Sequence, residues 1–225
     1  MSRWLRWNEA VLDRAHPKPT GLLDPRSEAW TVGLLAEWEV IRRELDALVA
    51  DRIQFPGVST LIGADQGNEG RWTTFMLCAN GKVIPSNAER APATVALLDR
   101  VPGLSIAAFS VLGPHCHLPR HRGPNRGALR YQLGMIVPGE PGAARLVVGE
   151  TEHVWTEGAE LLFDDSVEHE AWNESDGDRY IFFVEFIWPR SGPAGLVNRA
   201  TQQVYRLAGR RLGARAAELD AMLNR

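Results

Sequence analysis

The chain has only two cysteines, Cys78 and Cys116, among its 225 residues. That is too few for a disulfide scaffold; a single pairing stays open, and two reduced thiols are the expectation. No apolar run reaches the roughly 18 residues a membrane span needs. The opening Met-Ser-Arg-Trp-Leu-Arg-Trp has neither the apolar core nor the cleavage site of a signal peptide. A cytoplasmic protein without membrane contact is therefore expected. No basic stripe breaks the even mixture of charges, whose formal sum is -3, so nucleic acid is not an expected partner. Internal repeats, low-complexity tracts and domain linkers are missing too, and one domain over 1–225 is expected. What is present, 44% hydrophobic and 24% charged residues, suits a globular chain with a real core.

The patterning divides this chain into a helical start, a β centre and a helical end. Residues 2–14, with Trp4, Leu5, Trp7, Val11 and Leu12, predict a short amphipathic helix. Ser27 is a candidate cap for a second helix, in which Trp30, Leu34, Leu35, Trp38, Ile41, Leu45 and Leu48 recur at helical spacing to about Val49. These make up the N-terminal helices of 1–50. Arg71 to Cys78 is strand-like, and Asn80-Gly81 signals a hairpin. A short helix is expected over 89–100. From Leu104 on, strands are expected at 104–112, 129–137, 144–149, 152–156, 159–163, 168–173 and 179–188, within a β core of 70–190. A C-terminal helix occupies 193–225. So many short strands at close spacing predict a sandwich or barrel, mainly β with flanking helices.

Six histidines occur, and His115, His117, His121 and His153 crowd the centre, with His169 following. Histidine is the commonest transition-metal ligand, but His121 and His169 could share an ion only if the fold sets their strands side by side. Arg179 lies in a strand otherwise rich in Tyr, Ile, Phe and Val. A buried arginine needs an anion, supplied either by an internal Asp or Glu or by a bound acid.

Several segments together carry a resemblance: His121-Arg-Gly-Pro124, Leu129-Arg-Tyr-Gln-Leu-Gly-Met135, Trp155-Thr-Glu-Gly158, Phe163-Asp-Asp-Ser-Val-Glu-His-Glu-Ala-Trp172, and Arg179. Upstream, Trp38-Glu-Val-Ile-Arg42 and Trp72-Thr-Thr-Phe75 join them. Over about 30–190 the chain resembles the aspartyl/asparaginyl β-hydroxylase family of non-haem iron(II), 2-oxoglutarate-dependent oxygenases. The resemblance implies a double-stranded β-helix (jelly roll, cupin-like) core, with His121 and His169 as ligands to Fe(II). It also implies a 2-oxoglutarate pocket using Ser110, Arg130, Gln132 and Arg179, and consumption of O2 in hydroxylating a substrate carbon. The expected substrate is an aspartyl or asparaginyl group of a small molecule, a peptide or a carrier-bound amino acid. Lipid A hydroxylases are related, but a membrane-binding segment is missing here.

Iron(II) oxygenases usually present two His and a carboxylate, the carboxylate two residues after the first His. That position is Gly123, as in the family, so a water is expected to complete the site. Gln132 departs from the family pattern, which has His there. It can still donate an amide N–H but brings no charge. Weaker co-substrate binding, compensation by a neighbour such as His115 or His117, or a shifted oxo-acid preference would follow; otherwise His115 and His117 belong to a polar loop at the barrel mouth. Asp164, Asp165 and Glu168 are read as turn-makers and as support for the ligand histidine. His153 is read as a surface residue, and Trp155 and Trp172 as core. Two other readings stand beside this one: a metal-dependent cupin enzyme that does not use 2-oxoglutarate, with His115 and His117 as ligands, and a degenerate, non-catalytic binding module.

Overall fold

In the computed structural model the described residues are 7, 10–12, 14, 21–63, 71–123, 126–208 and 211–224. The helix expected at 2–14 falls largely outside them. The element order begins with strand β1 (Leu22–Leu23) and a 3-10 turn (Pro25–Ser27), then helices α1 (Ala29–Ala36), α2 (Trp38–Ala50) and α3 (Val58–Ile62). β2 (Trp72–Ala79) and β3 (Lys82–Val83) form a hairpin through Asn80 and Gly81, both at positive φ as such a tight turn demands. Short helices α4 (Pro85–Ala88) and α5 (Pro92–Leu98) lead to β4 (Leu104–Leu112). Then come β5 (Cys116–His121), β6 (Ala128–Ile136), β7 (Ala144–Val148), β8 (Thr151–Val154), β9 (Glu160–Phe163), β10 (His169–Asn173) and β11 (Arg179–Ile187). Helices α6 (Gly192–Ala208) and α7 (Leu212–Leu223) end the chain.

The strands form two antiparallel sheets, ordered β1-β9-β6-β11-β4-β2-β3 and β5-β10-β7-β8. This is the expected mainly β, jelly-roll architecture. Alternation along the strands sorts residues between two cores. On one face of the large sheet Tyr131, Leu133, Phe109, Phe182 and Val184 pack against Trp30, Leu34, Ile41 and Leu45 of α1 and α2. On the other face Leu112, Leu161, Phe163 and Ile181 meet Leu146, Val148 and Ala171 of the small sheet. Among the described residues no helix is long and apolar enough to cross a membrane.

Four expectations change. The second helix is two helices broken at Glu37, and Glu28, not Ser27, precedes the first of them. The break follows from docking: Trp38 Nε1 donates to Gly134 O at 2.8 Å and Arg42 to Met135 O at 2.6 Å, tying α2 to β6. The helix expected at 89–100 is shorter, α5 over Pro92–Leu98, and an unexpected α4 precedes it; each begins at a proline. β5 was not expected, because Pro119 lies inside it; the strand is the edge of the small sheet, where a missing N–H is tolerated. The C-terminal helix is a pair.

Candidate active site

His121 ends β5 and His169 starts β10, and the antiparallel register sets them opposite each other. Their ring centroids are 4.3 Å apart. Each ring is oriented by its own backbone: His121 Nδ1 lies 2.8 Å from Pro119 O, and His169 Nδ1 lies 2.9 Å from Val167 O. A carbonyl only accepts, so each Nδ1 carries the proton and each Nε2 is left as the basic nitrogen. This corrects the expectation that carboxylates would orient the ligand imidazoles. Phe163 packs edge-on against His169. Burial pushes the His169 imidazole down to about 3, with the neighbouring His121 and Arg130 adding to the effect and the Val167 carbonyl opposing it. It is therefore neutral at ordinary pH, the form that binds a metal.

The turn between β9 and β10 is closed by Asp164, whose carboxylate accepts from Ser166 N at 2.9 Å, the turn-making role expected of it. Asp165 does something else. A Cβ built at Gly123 would stand 1.2 Å from Asp165 Oδ2. The space that a side chain at 123 would take is filled by a carboxylate from the turn between β9 and β10. Asp165 is 1% exposed. Its Oδ1 is 3.3 Å from His169 Nε2 and 2.5 Å from Arg130 NH1, and Oδ2 has no hydrogen-bond partner among the described residues. Burial pushes the Asp165 carboxyl up, while Arg130 and His121 pull against it. No group of three or more His, Cys, Asp or Glu among the described residues is arranged to hold a metal. The donor set is a pair of imidazoles with a carboxylate beside it.

Arg130 also meets Glu185 at 3.5 Å and lies over the Phe183 ring at 5.1 Å. Glu185 is buried at 5% exposure and was not foreseen. The alternation Arg179, Ile181, Phe183, Glu185 does signal it, since an acid on an inward face needs a partner. Trp72 was also missed as a site residue; its Nε1 donates to Ser110 Oγ at 3.0 Å and holds that hydroxyl in place. Ser110, His121 and Arg130 line one cavity of about 510 Å3. Gln132 and Arg179 are not among its lining residues. Gln132 sits between Phe183 and Leu161 in the ladder, two residues from Arg130. Arg179 pairs with Leu112 on β4, two positions along from Ser110 and Ile181.

Arg179 is 4% exposed, its Nε has no partner, and no acidic side chain among the described residues pairs with it. Burial lowers it to about 10, with the nearby Cys116 acting in the other direction. The internal Asp or Glu partner weighed from the sequence is thus not found. Cys78 and Cys116 are both buried and are not joined in a disulfide.

The other histidines lie elsewhere. His115 is exposed and pairs with Asp176 at 2.9 Å. His117 stacks on Trp172, whose other neighbour is Arg145. Each is engaged with these neighbours and not with the imidazole pair. Trp172 is accordingly a surface stacking residue, whereas Trp155 is core at 1% exposure. His153, read as surface, packs edge-on against Trp155, and burial lowers its pKa.

Facing imidazoles and a buried guanidinium without an acidic partner thus share one jelly roll. A family model described as aspartyl/asparaginyl beta-hydroxylase matches residues 35–189. The chain belongs to that family. It is 37% identical over 180 residues to an ornithine lipid ester-linked acyl 2-hydroxylase of Rhizobium tropici, covering 79% of this chain and 64% of that protein. It is 31% identical over 182 residues to the aspartyl/asparaginyl beta-hydroxylase of Homo sapiens, covering 79% of this chain and 23% of that protein. The chain thus spans less than two thirds of either relative. Among solved structures it is matched to a Cupin 2 conserved barrel domain protein of Salinispora arenicola, 11% identical with a TM-score of 0.35, covering 61% of this chain and 88% of that one.

Proposed function

We propose that the protein is an iron(II)- and 2-oxoglutarate-dependent hydroxylase. The observation that carries this reading is the buried Arg179 guanidinium without a protein anion, on the sheet that also bears Ser110 and Arg130. A dicarboxylate's far end supplies the missing charge through a two-pronged, charge-assisted pair. His121 and His169 would hold iron through Nε2, and the Trp72-fixed Ser110 hydroxyl would add a hydrogen bond to the co-substrate. Gln132 would offer an uncharged amide in place of the family's imidazole. Asp165, paired with Arg130, would stand beside the metal position and can accept a hydrogen bond from water there. Iron and 2-oxoglutarate, once bound, supply the oxidation: one oxygen atom of O2 leaves in succinate alongside CO2, and the other converts a substrate C–H to C–OH.

The substrate is a small molecule, a peptide segment or a carrier-borne group that reaches the imidazole pair through the cavity beside His121. The relatives' names set out two chemistries, a β-carbon of aspartyl or asparaginyl and a carbon of an acyl group. The test is iron-dependent conversion of 2-oxoglutarate to succinate by the purified protein, with Arg179→Ala as the comparison. The reading expects turnover and a KM for 2-oxoglutarate raised at least tenfold in the variant. An unchanged KM would refute the pocket.

A further inference from the structure

Charge is not mixed evenly to the end of this chain. From Gly192 on, the two C-terminal helices and the turn between them carry six arginines against only Glu218 and Asp220, in a chain whose formal sum is -3. Asp220 is buried and accepts a hydrogen bond from Asn224, so Glu218 is the acid left on the outer surface. Arg199, Arg211 and Arg215 are exposed, and no acidic side chain among the described residues pairs with any of them.

Helix α6 is turned round relative to an ordinary surface helix. Its polar Asn198, Thr201 and Gln202 are buried, and the two amides donate to Gly127 O of the barrel. Leu196 faces the other way and is 62% exposed. In the last turn of α7, Met222 is 66% exposed. These are the two most exposed large apolar side chains among the described residues, and both stand in the segment that concentrates positive charge. Gln202 of α6 and Leu212 of α7 line the cavity that reaches His121, so the helices flank one opening. An anionic bilayer answers both features. Its headgroups attract each arginine, and its acyl boundary takes up aliphatic side chains. A nucleic acid or an acidic polypeptide would answer the arginines alone.

We propose that the outward face of α6 and α7 docks on an anionic lipid surface, with Arg199, Arg211 and Arg215 against the headgroups and Leu196 and Met222 among them. This sets aside the expectation of a protein without membrane contact, and it stands whether or not the protein is a hydroxylase. The contact is peripheral, since no helix among the described residues is long and apolar enough to cross a membrane.

The test is co-sedimentation of the full chain with vesicles of phosphatidylcholine alone, and with roughly one third of it replaced by phosphatidylglycerol. Binding to the anionic vesicles is expected to be about tenfold tighter or more, and to weaken as salt is raised. Arg211→Gln and Arg215→Gln should each weaken it about fivefold. Leu196→Asp and Met222→Asp should each weaken it about tenfold or more, with melting curves unchanged at these exposed positions. Equal binding to both kinds of vesicle, binding to neither, or anionic binding that survives the paired arginine substitutions overturns the inference. So does polyglutamate that binds as tightly as the anionic vesicles and is indifferent to Leu196→Asp, a result that points to an acidic polypeptide partner instead.

Discussion

A single methyl group added at position 123 would collide with the Asp165 carboxylate at 1.2 Å. Gly123→Ala must therefore expel Asp165 from its place beside His169. Losing a group that supports metal ligands typically costs 10–100-fold in affinity, so zinc should bind at least ~10-fold more weakly to the variant, as read by competition with a chelator. Arg130 is the counterpart. It separates two buried carboxylates, Asp165 and Glu185. Removing one partner of a buried pair costs about 3–5 kcal/mol, and Arg130→Met should lose about that much in urea unfolding. At this scale the sequence was partly legible. His121, His169 and Arg179 stand in quotable motifs, and the fold brings the two imidazoles together. Asp165 was read only as support, because spacing does not say which way a turn side chain points. Glu185 was overlooked although strand alternation placed it on the inward face.

Helix α6 is fastened to the barrel by the amides of Asn198 and Gln202, both of which donate to Gly127 O. Asn198 is fully buried, and its Nδ2 donates to Gly127 O at 2.8 Å and Trp188 O at 2.9 Å. Asn198→Ala removes both of those buried hydrogen bonds, at a cost of ~1–3 kcal/mol. Amide exchange in α6 should speed up while that of β11 and β6 stays slow. Element by element, the strands from β6 onward were legible to within a residue or two, because each is short, apolar on alternate positions and bounded by Gly, Pro, Asn or Asp. β5 was not, since His, Pro and Arg give it no strand signature and only its pairing with β10 makes it one. The break at Glu37 was hidden for the opposite reason: the apolar stripe runs on unbroken from Trp30 to Leu48, and long-range bonds to β6 decide the break.

For the molecule as a whole, burial of the site makes stability depend on pH in two opposing ways. His169 is lowered from 6.5 to about 3, so between those values the unfolded chain takes up a proton that the folded site refuses. Stability should fall as pH drops through that window, by at most ~1.4 kcal/mol per pH unit from this group. Asp165 and Glu185 are raised by burial, so the unfolded chain loses their protons first and stability from them falls as pH rises. His169→Gln should flatten the acid limb of a denaturation midpoint measured between pH 6.5 and 4 and leave the alkaline limb unchanged. The overall architecture, mainly β with flanking helices, was legible from strand number and spacing. The cavity's apolar far wall was not, because Leu61, Met76, Ala108, Phe183 and Leu212 come from five separate elements.

The most direct measurement is a crystal structure of the protein grown with zinc and a 2-oxoglutarate mimic. A single anomalous peak is expected about 2.0–2.1 Å from the Nε2 atoms of both His121 and His169, with the mimic's distal carboxylate on the Arg179 guanidinium. Zinc bound by His115 or His117, or a mimic that leaves Arg179 untouched, would contradict the account.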